Sequence, residues 1–439
     1  MGRAQPPKRT TMSINSSMFT GAAGLGAHGE AMGIISDNIA NVNTIGFKSQ
    51  RGNFADILGA AVNGTRIGAG TMLANVQTNF SQGSLLGTGV VTDLAIRGDG
   101  FFMVEGVNEG LSGTYYTRSG QFQLDESGFM VNQAGLRVQG YPADSTGSLS
   151  TAVGDLQLSL NSIPPSPTST VEITANLDAD QDVSGVAFDI NDPAGTSDFS
   201  TSVTVFDSLG RPQQLEIYFN KSSSAPPTWA YNVVTAGDAI TPAAAGDFAL
   251  LDTGSMTFNT DGSMNSYSVN SVTVNWAGAD AATIGLDFGT GTGAGGTGVD
   301  GITTYAVDSN VTFLNQDGFG SGNLAGIQID DNGVISGVFT NGQSRTVGQI
   351  ALARFASNDG LERRGNGLMA ATRESGVASV GVAASGGRGA ISSGNLEASN
   401  VDLAEQFVQM ISLQRGFQAN SRSITTADQM LTEVVNLKQ

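Results

Sequence analysis

Apolar residues recur along this chain with two different periods, and the change of period divides it. Near the N-terminus Met18, Leu25, Met32 and Ile39 fall seven residues apart, and Ile35 and Val42 follow two of them by three. A heptad of this kind lays an apolar seam along one face of a helix, predicted here over about 16–41. Near the C-terminus Leu396, Leu403, Met410, Phe417, Ile424 and Leu431 repeat at the same interval, and Phe407, Leu413, Val434 and Val435 widen the stripe. Two heptad helices at opposite ends of one chain predict pairing. The pattern leaves open whether they pair with each other or with neighbouring copies.

Between about Thr71 and Gly394 the period drops to two and turn residues punctuate it. Asp99-Gly100, Asp261-Gly262, Asn332-Gly333 and Asn341-Gly342 are hairpin dipeptides bounded by apolar or β-branched residues. Short strands are predicted at Leu94–Ile96, Phe101–Val104, Gln121–Leu124, Thr201–Phe206, Leu215–Tyr218 and Gln349–Phe355. The expected fold class is therefore a mainly β body of nested domains, with N- and C-terminal α-helices that pair in a coiled-coil-like manner. Ile163-Pro164-Pro165-Ser166-Pro167 cannot continue a ladder and marks one boundary. A second falls near Thr312–Gly322, after the Gly/Thr-rich stretch 289–298. The block between, 168–310, reads as a β domain inserted into another.

Composition sharpens the helical part. Gly21, Gly24, Gly26, Gly29 and Gly33 lie on the first helix. At about 1 kcal/mol each against Ala, they cost roughly 4–5 kcal/mol, so this helix is expected to order only when partners bury it. Charged residues are 13% of the chain, and the net charge is −19. Lys and Arg form no basic stripe, which argues against a nucleic-acid partner or an anionic membrane surface. No apolar run reaches the ~20 residues of a membrane-inserted helix. Residues 1–11 are basic, with Pro6 and Pro7 but no apolar run, so they do not read as a Sec-type signal peptide. Met12-Ser13-Ile14-Asn15 looks more like a natural start, and 1–11 is expected to be an unstructured extension or a mis-annotated start.

Candidate chemistry is sparse. Cysteine is absent and His28 is the single histidine, so a thiolate metal site is excluded and a Ser-His-Asp triad would need a histidine on a glycine-rich helix. Gly291-Thr-Gly293-Ala-Gly295-Gly296 has the spacing of a dinucleotide loop but no helical pattern follows it. Asp178-Ala-Asp180-Gln-Asp182 opens like a calcium loop, yet its sixth position is Val183 and its twelfth Asp189. No catalytic, cofactor or metal site is assigned, and an enzyme has no constellation to stand on.

The segment from Ser36 to Lys48, with Asn38, Asn41, Asn43, Gly46 and Phe47, resembles the signature of bacterial flagellar rod and hook proteins. It reads physically as a helix exit, in which the asparagines satisfy terminal backbone groups and Gly46 turns left-handed. Asp93–Val104, Tyr116–Asp125 and Gly394–Leu403, running on to Asp428, are similar to further blocks of that family. The stretch Val203–Phe219 is similar to the inserted domain of hook proteins, which favours the hook over the shorter rod proteins.

This resemblance implies a structural subunit of the hook, a self-assembling curved tube outside the cell that transmits motor torque to the filament. It implies an inner helical domain of 12–45 and 395–439, a connecting segment 46–80, a discontinuous β domain of 81–167 and 311–394, and the outer insert 168–310. The partners it implies are further copies in a helical homopolymer, the hook cap protein, the distal rod, the hook–filament junction proteins and the flagellar type III export apparatus. The alternatives are a distal rod subunit of the basal body or, from a different class, a secreted acidic β-rich adhesin.

Overall fold

The computed structural model describes residues 14–62, 65–144, 146–158, 162–243, 246–268 and 271–436. The extension 1–11 lies outside these. The heptads do produce two long helices, α1 (Ile14–Ala40) and α2 (Leu403–Asn436), and strands dominate the rest of the chain. The helices pack against each other, but along a seam one column away from the bulky heptad. Gly21, Gly24, Ala27, Ala31, Ile35 and Asn38 are the buried positions of α1. Met18, Leu25, Met32 and Ile39 flank that line and stay half-buried.

Small residues win this seam because they let the helix axes approach. A Cβ on Gly21 would lie 2.9 Å from Cγ1 of Ile424, and one on Gly24 would lie 2.6 Å from the Asn420 amide nitrogen. From the other side, a Cβ on Gly416 would come within 2.8 Å of His28 Nε2. Gly26, Gly29 and Gly33 have open space where a Cβ would be. The helix glycines thus divide into two that permit close packing and three that face away from it.

α2 begins later than its heptad. The Asp402 carboxylate accepts the N–H groups of Ala404 (2.8 Å) and Glu405 (3.2 Å), capping the helix at Leu403. Leu396, expected on the helix, instead lies in the strand Asn395–Glu397, where it pairs with Leu86 and is 4% exposed. The segment expected to be a connection, 46–80, holds two long antiparallel strands, β1 (Gln50–Val62) and β2 (Thr65–Thr78). Register shifts at Asn53/Phe54 and Asp56/Leu58 break their alternation, so no period-two signal shows in the sequence. This hairpin packs on α1, with Gly70 against Ala23 and Thr20, and Gly52 beside Ile34.

The chain forms two units, one of 1–159, 327–337 and 345–439, the other of 160–326 and 338–344. Besides the helices and hairpin, the first contains a sheet ordered Ser344–Arg354, Arg137–Pro142, Phe101–Asn108, Leu111–Thr117, Leu368–Ala370, Glu362–Arg363. Phe101, Met103, Tyr116 and Phe355 lie buried on it, with Tyr116 edge-on to Phe355 at 4.7 Å.

In the second unit, five consecutive strands from Phe199 to Tyr267 form an antiparallel sheet, and a four-stranded sheet is ordered Ser271–Asn275, Ala281–Asp287, Thr170–Asn176, Asn310–Gln316. Trp229, Tyr231, Phe219, Trp276 and Phe288 form a shared core. The unit starts before Pro164 because Ser162–Ile163 pairs with Gly322–Asn323.

Two carboxylates tie its loops. Asp207 accepts N–H groups of Leu209 (2.9 Å) and Arg211 (2.9 Å) and the Arg211 Nε (2.7 Å). Asp317 accepts the N–H groups of Ser169 and Thr170 and the Ser169 hydroxyl. Burial pushes both groups upward, but these donors outweigh it and hold each below its ordinary value of 3.8. A depressed carboxyl stabilises the fold above that value and loses the contribution as pH falls through the lower folded value. Both tryptophans, Trp229 and Trp276, lie in this unit. Their fluorescence should therefore report an acid transition below about pH 4, displaced to higher pH in a denaturant-poised sample, and flattened in Asp207→Asn. An Asp207→Asn profile identical to the parent would remove Asp207 from the account.

Candidate functional site at the helix exit

The last turn of α1 leads into a group of polar side chains that joins both helices to the sheet. Asn41 closes the helix, its Nδ2 donating to the Asp37 carbonyl and carboxylate, both at 2.9 Å. Thr44 donates back to Asn41 Oδ1 at 3.0 Å. Asn38, fully buried, does something else. It brackets the backbone of Gln50, accepting its N–H (2.8 Å) and donating to its carbonyl (2.7 Å), and it donates to Gln406 of α2 at 2.9 Å. One side chain thus holds α1, α2 and the start of β1 together. Asn43 is exposed and makes no hydrogen bond among the described residues.

Gly46 takes φ +71°, and its N–H donates to the Glu397 carbonyl at 2.7 Å. A Cβ there would fall 2.5 Å from the Ser119 nitrogen, so only glycine permits the exit to lie this close to the β body. Phe47 is buried beneath the Arg363 guanidinium, 5.1 Å from the ring, and Arg363 reaches Asp37 at 3.6 Å.

Next to it lies a buried ionic triad. Lys48 Nζ meets Glu397 Oε1 at 2.6 Å and the Ser81 carbonyl at 2.8 Å. Arg118 Nη1 meets Glu397 Oε2 at 3.3 Å, and the Gly83 N–H donates to Oε1 at 2.9 Å. The three side chains are 1%, 4% and 0% exposed for Lys48, Arg118 and Glu397. Burial pulls Lys48 and Arg118 below their ordinary pKa values, against the opposing attraction of Glu397. Asn400 extends the network, accepting the Ser49 N–H at 2.7 Å and donating to the carbonyls of Asn79 and Ser81.

Of the helix-exit residues named from sequence, the structure brings Asn38, Asn41, Gly46 and Phe47 into this group and leaves Asn43 outside it. Lys48, Arg118, Glu397, Asn400 and Gln406 were not among those named. The helical positions divide by exposure. Ile35 is buried; Met18, Leu25, Met32, Ile39, Val42, Met410, Phe417, Ile424 and Leu431 are half-buried; Leu403 and Phe407 are exposed. His28, 5.7 Å from the Phe54 ring, sits between α2 and the hairpin with Nδ1 unpartnered. Gly291–Gly296 is a loop with one 3₁₀ turn, and Asp178 accepts the Asp180 N–H in a local turn. The groove beside the exit, about 700 Å³, is lined by Thr44, Phe47, Ser119, Asn132 and Arg363, which supply no nucleophile–base pair. The arrangement bonds both helices and the neighbouring strands together.

Terminal helices clamped to a nested β body define a structural protein of the flagellar axis. The sequence matches family profiles described as flagella basal body rod protein over 18–48, flagellar hook protein FlgE/F/G D1 domain over 95–184, flagellar basal body protein FlaE D2 domain over 176–319, and flagellar basal body rod FlgEFG protein C-terminal over 392–437. It is 34% identical over 437 residues to the flagellar hook protein FlgE of Salmonella typhimurium, covering 95% of this chain and 98% of that one. It is 34% identical to the FlgE of Treponema pallidum over 466 residues, covering 96% and 99%. The structure resembles that of Helicobacter pylori flagellar hook protein FlgE2 with a TM-score of 0.51 at 16% identity, covering 71% of this chain and 100% of that one. The chain belongs to the flagellar hook protein family. It is a structural component of the hook, part of the basal body–hook complex that extends outside the cell.

Proposed function

We propose that this chain polymerises through its terminal helices and passes torque from them to the β body through the helix-exit junction. The observation that carries this is the unspent apolar face of α2. Leu403, Phe407, Val408 and Ile411 are 40%, 50%, 68% and 50% exposed at successive turns. α1 presents its own open face at Gly26, Gly29 and Gly33, where large side chains of a neighbouring copy have room to approach. The half-buried heptad positions from Met18 to Val42 and from Met410 to Leu431 border these faces and complete the assembly surface. Twisting the helical layer then loads Asn38, Gly46 and the ionic triad, which tie it to the sheet.

The insert 168–310 forms the outer layer, where polar, acidic strand surfaces slide past one another as the tube bends. The glycine-rich α1 and the lack of cysteine suit export in an unfolded state through the type III apparatus. Addition beneath a hook cap, between distal rod and junction proteins, follows from the same reading.

Hydrogen exchange tests it. In the soluble full-length subunit, amides over Gly26–Gly33 and Phe407–Ile411 should exchange fast, because three glycines and an uncovered apolar face leave little to oppose opening. Assembly should slow them about a hundredfold or more. Equal protection in subunit and polymer would show that these faces are not the ones assembly covers.

A further inference from the structure

We infer that the corner made by Arg354, Arg388 and the turn Ala384–Gly387 is a carboxylate-binding surface that takes an acidic side chain of a neighbouring copy. Acidic residues outnumber basic ones in this chain by 39 to 20, so two guanidiniums side by side with no carboxylate between them form a local exception to the field of the chain. Arg97, Arg118, Arg137, Arg211, Arg363 and Arg364 each hold one within 4 Å. Among the described residues Arg51, Arg345, Arg354, Arg373, Arg388, Arg415 and Arg422 hold none, and of these Arg354 and Arg388 meet at one turn.

The geometry is built rather than incidental. Arg354 ends the strand Ser344–Arg354, paired with Ser379. Arg388 donates from Nε to the Val382 carbonyl at 2.9 Å and lies flat over Gly381, where a Cβ would be 2.5 Å from Cζ. A Cβ on Gly386 would fall 3.0 Å from Nη2 of Arg388, and one on Gly387 would fall 2.8 Å from Nη1 of Arg354. The two guanidiniums therefore flank Gly386-Gly387.

The turn is closed by Ala384 N–H to the Gly389 carbonyl and by Arg388 N–H to the Ser385 carbonyl. The N–H groups of Ser385, Gly386 and Gly387 have no acceptor among the described residues. Ala384, Gly386 and Gly387 all have positive φ, at 54°, 59° and 76°. Free N–H groups in such turns form anion-binding concavities, and guanidinium forks match a carboxylate in two-point contact. Residues 384–387 and Arg354 are exposed.

The occupant follows from charge. Copies of net charge −19 repel each other when packed into a polymer, and a doubly cationic corner on each offsets that where it meets a neighbour's carboxylate. A nucleic-acid phosphate would face the same unfavourable field. This inference rests on the proposed self-assembly, and the test separates the two.

Full-length wild type, Arg354→Glu and Arg354→Lys are compared for the critical concentration of tube formation at low and moderate salt. Among the described residues the Arg354 side chain makes no hydrogen bond, so subunit melting should be unchanged. Arg354→Glu should raise the critical concentration about tenfold and weaken its salt dependence, with Arg354→Lys in between. Wild-type critical concentration and salt dependence in Arg354→Glu would overturn the contact while leaving assembly intact. Sulfate binding at Arg354 in the subunit without any assembly defect would also overturn it, by making the corner a free-anion site. Wild type that forms no tubes would overturn assembly and this contact together.

Discussion

Glu397→Ala should release both terminal helices from the sheet, at a cost of about 3–5 kcal/mol. In the parent, one carboxylate compensates two buried cations, so the cluster already carries a net positive charge with Lys48 and Arg118 1% and 4% exposed. Removing it leaves Lys48 without a carboxylate and Arg118 with Asp99 alone, and frees the Gly83 N–H. Desolvation is then opposed only by the attraction of Asp99 for Arg118, and the group relieves it by neutralising Lys48 or by opening the junction. Exchange measured on peptides spanning 36–50 and 395–406 should accelerate by about a hundredfold or more, which is what that free energy means at the lower end. Tryptophan fluorescence reports the other unit and provides an internal reference.

Adding Lys48→Met to Glu397→Gln tests the mechanism rather than the site. Glu397→Gln alone raises the buried charge by one, and the second substitution returns it to the parent value. The double variant should therefore recover much of the loss. A double variant worse than either single one would mean that packing, not charge, sets the cost.

What the sequence disclosed and what it concealed have different physical causes. Three of the four hairpin dipeptides were legible because glycine answers to a local need, whereas Asp99-Gly100 turns between Leu94–Arg97 and Phe101–Asn108, which pair with other strands and not with each other. Gly262, Gly333 and Gly342 all have positive φ, between 77° and 85°. The existence of α1 and α2 was legible because heptads are periodic. The side of α1 that packs was not, because hydrophobic patterns weigh Met18, Leu25, Met32 and Ile39 above Gly21 and Gly24. Close approach of two helices is instead licensed by what is missing at a position. The triad was illegible because Lys48 and Glu397 are 349 residues apart, and isolated charges carry no period. One signal was present. Lys48, Arg118 and Glu397 each fall inside a different block of the family resemblance, in a chain with only 13% charged residues. Scarce charges that recur within such blocks are candidates for one another's partners.

Phe407→Asp should abolish tube formation while leaving the subunit folded. Phe407 is 50% exposed in the subunit, so a carboxylate there can remain in water and the cost to the fold is small. In the polymer the same position would be covered. A phenylalanine presents about 150–250 Å², so burying its free half is worth roughly 2–3 kcal/mol at about 25 cal/mol per Å². A buried unpaired carboxylate adds a further penalty of the same order or larger. The two together should raise the critical concentration at least about a hundredfold. Leu250→Asp, at a position 47% exposed in the second unit, introduces the same charge away from the helices and should leave assembly near the parent level. The contrast matters more than either variant alone. Loss of tubes in both would trace the defect to added negative charge on an already acidic chain. Loss only in Phe407→Asp would locate assembly on the apolar face of α2, and tubes from Phe407→Asp at the parent concentration would exclude that face.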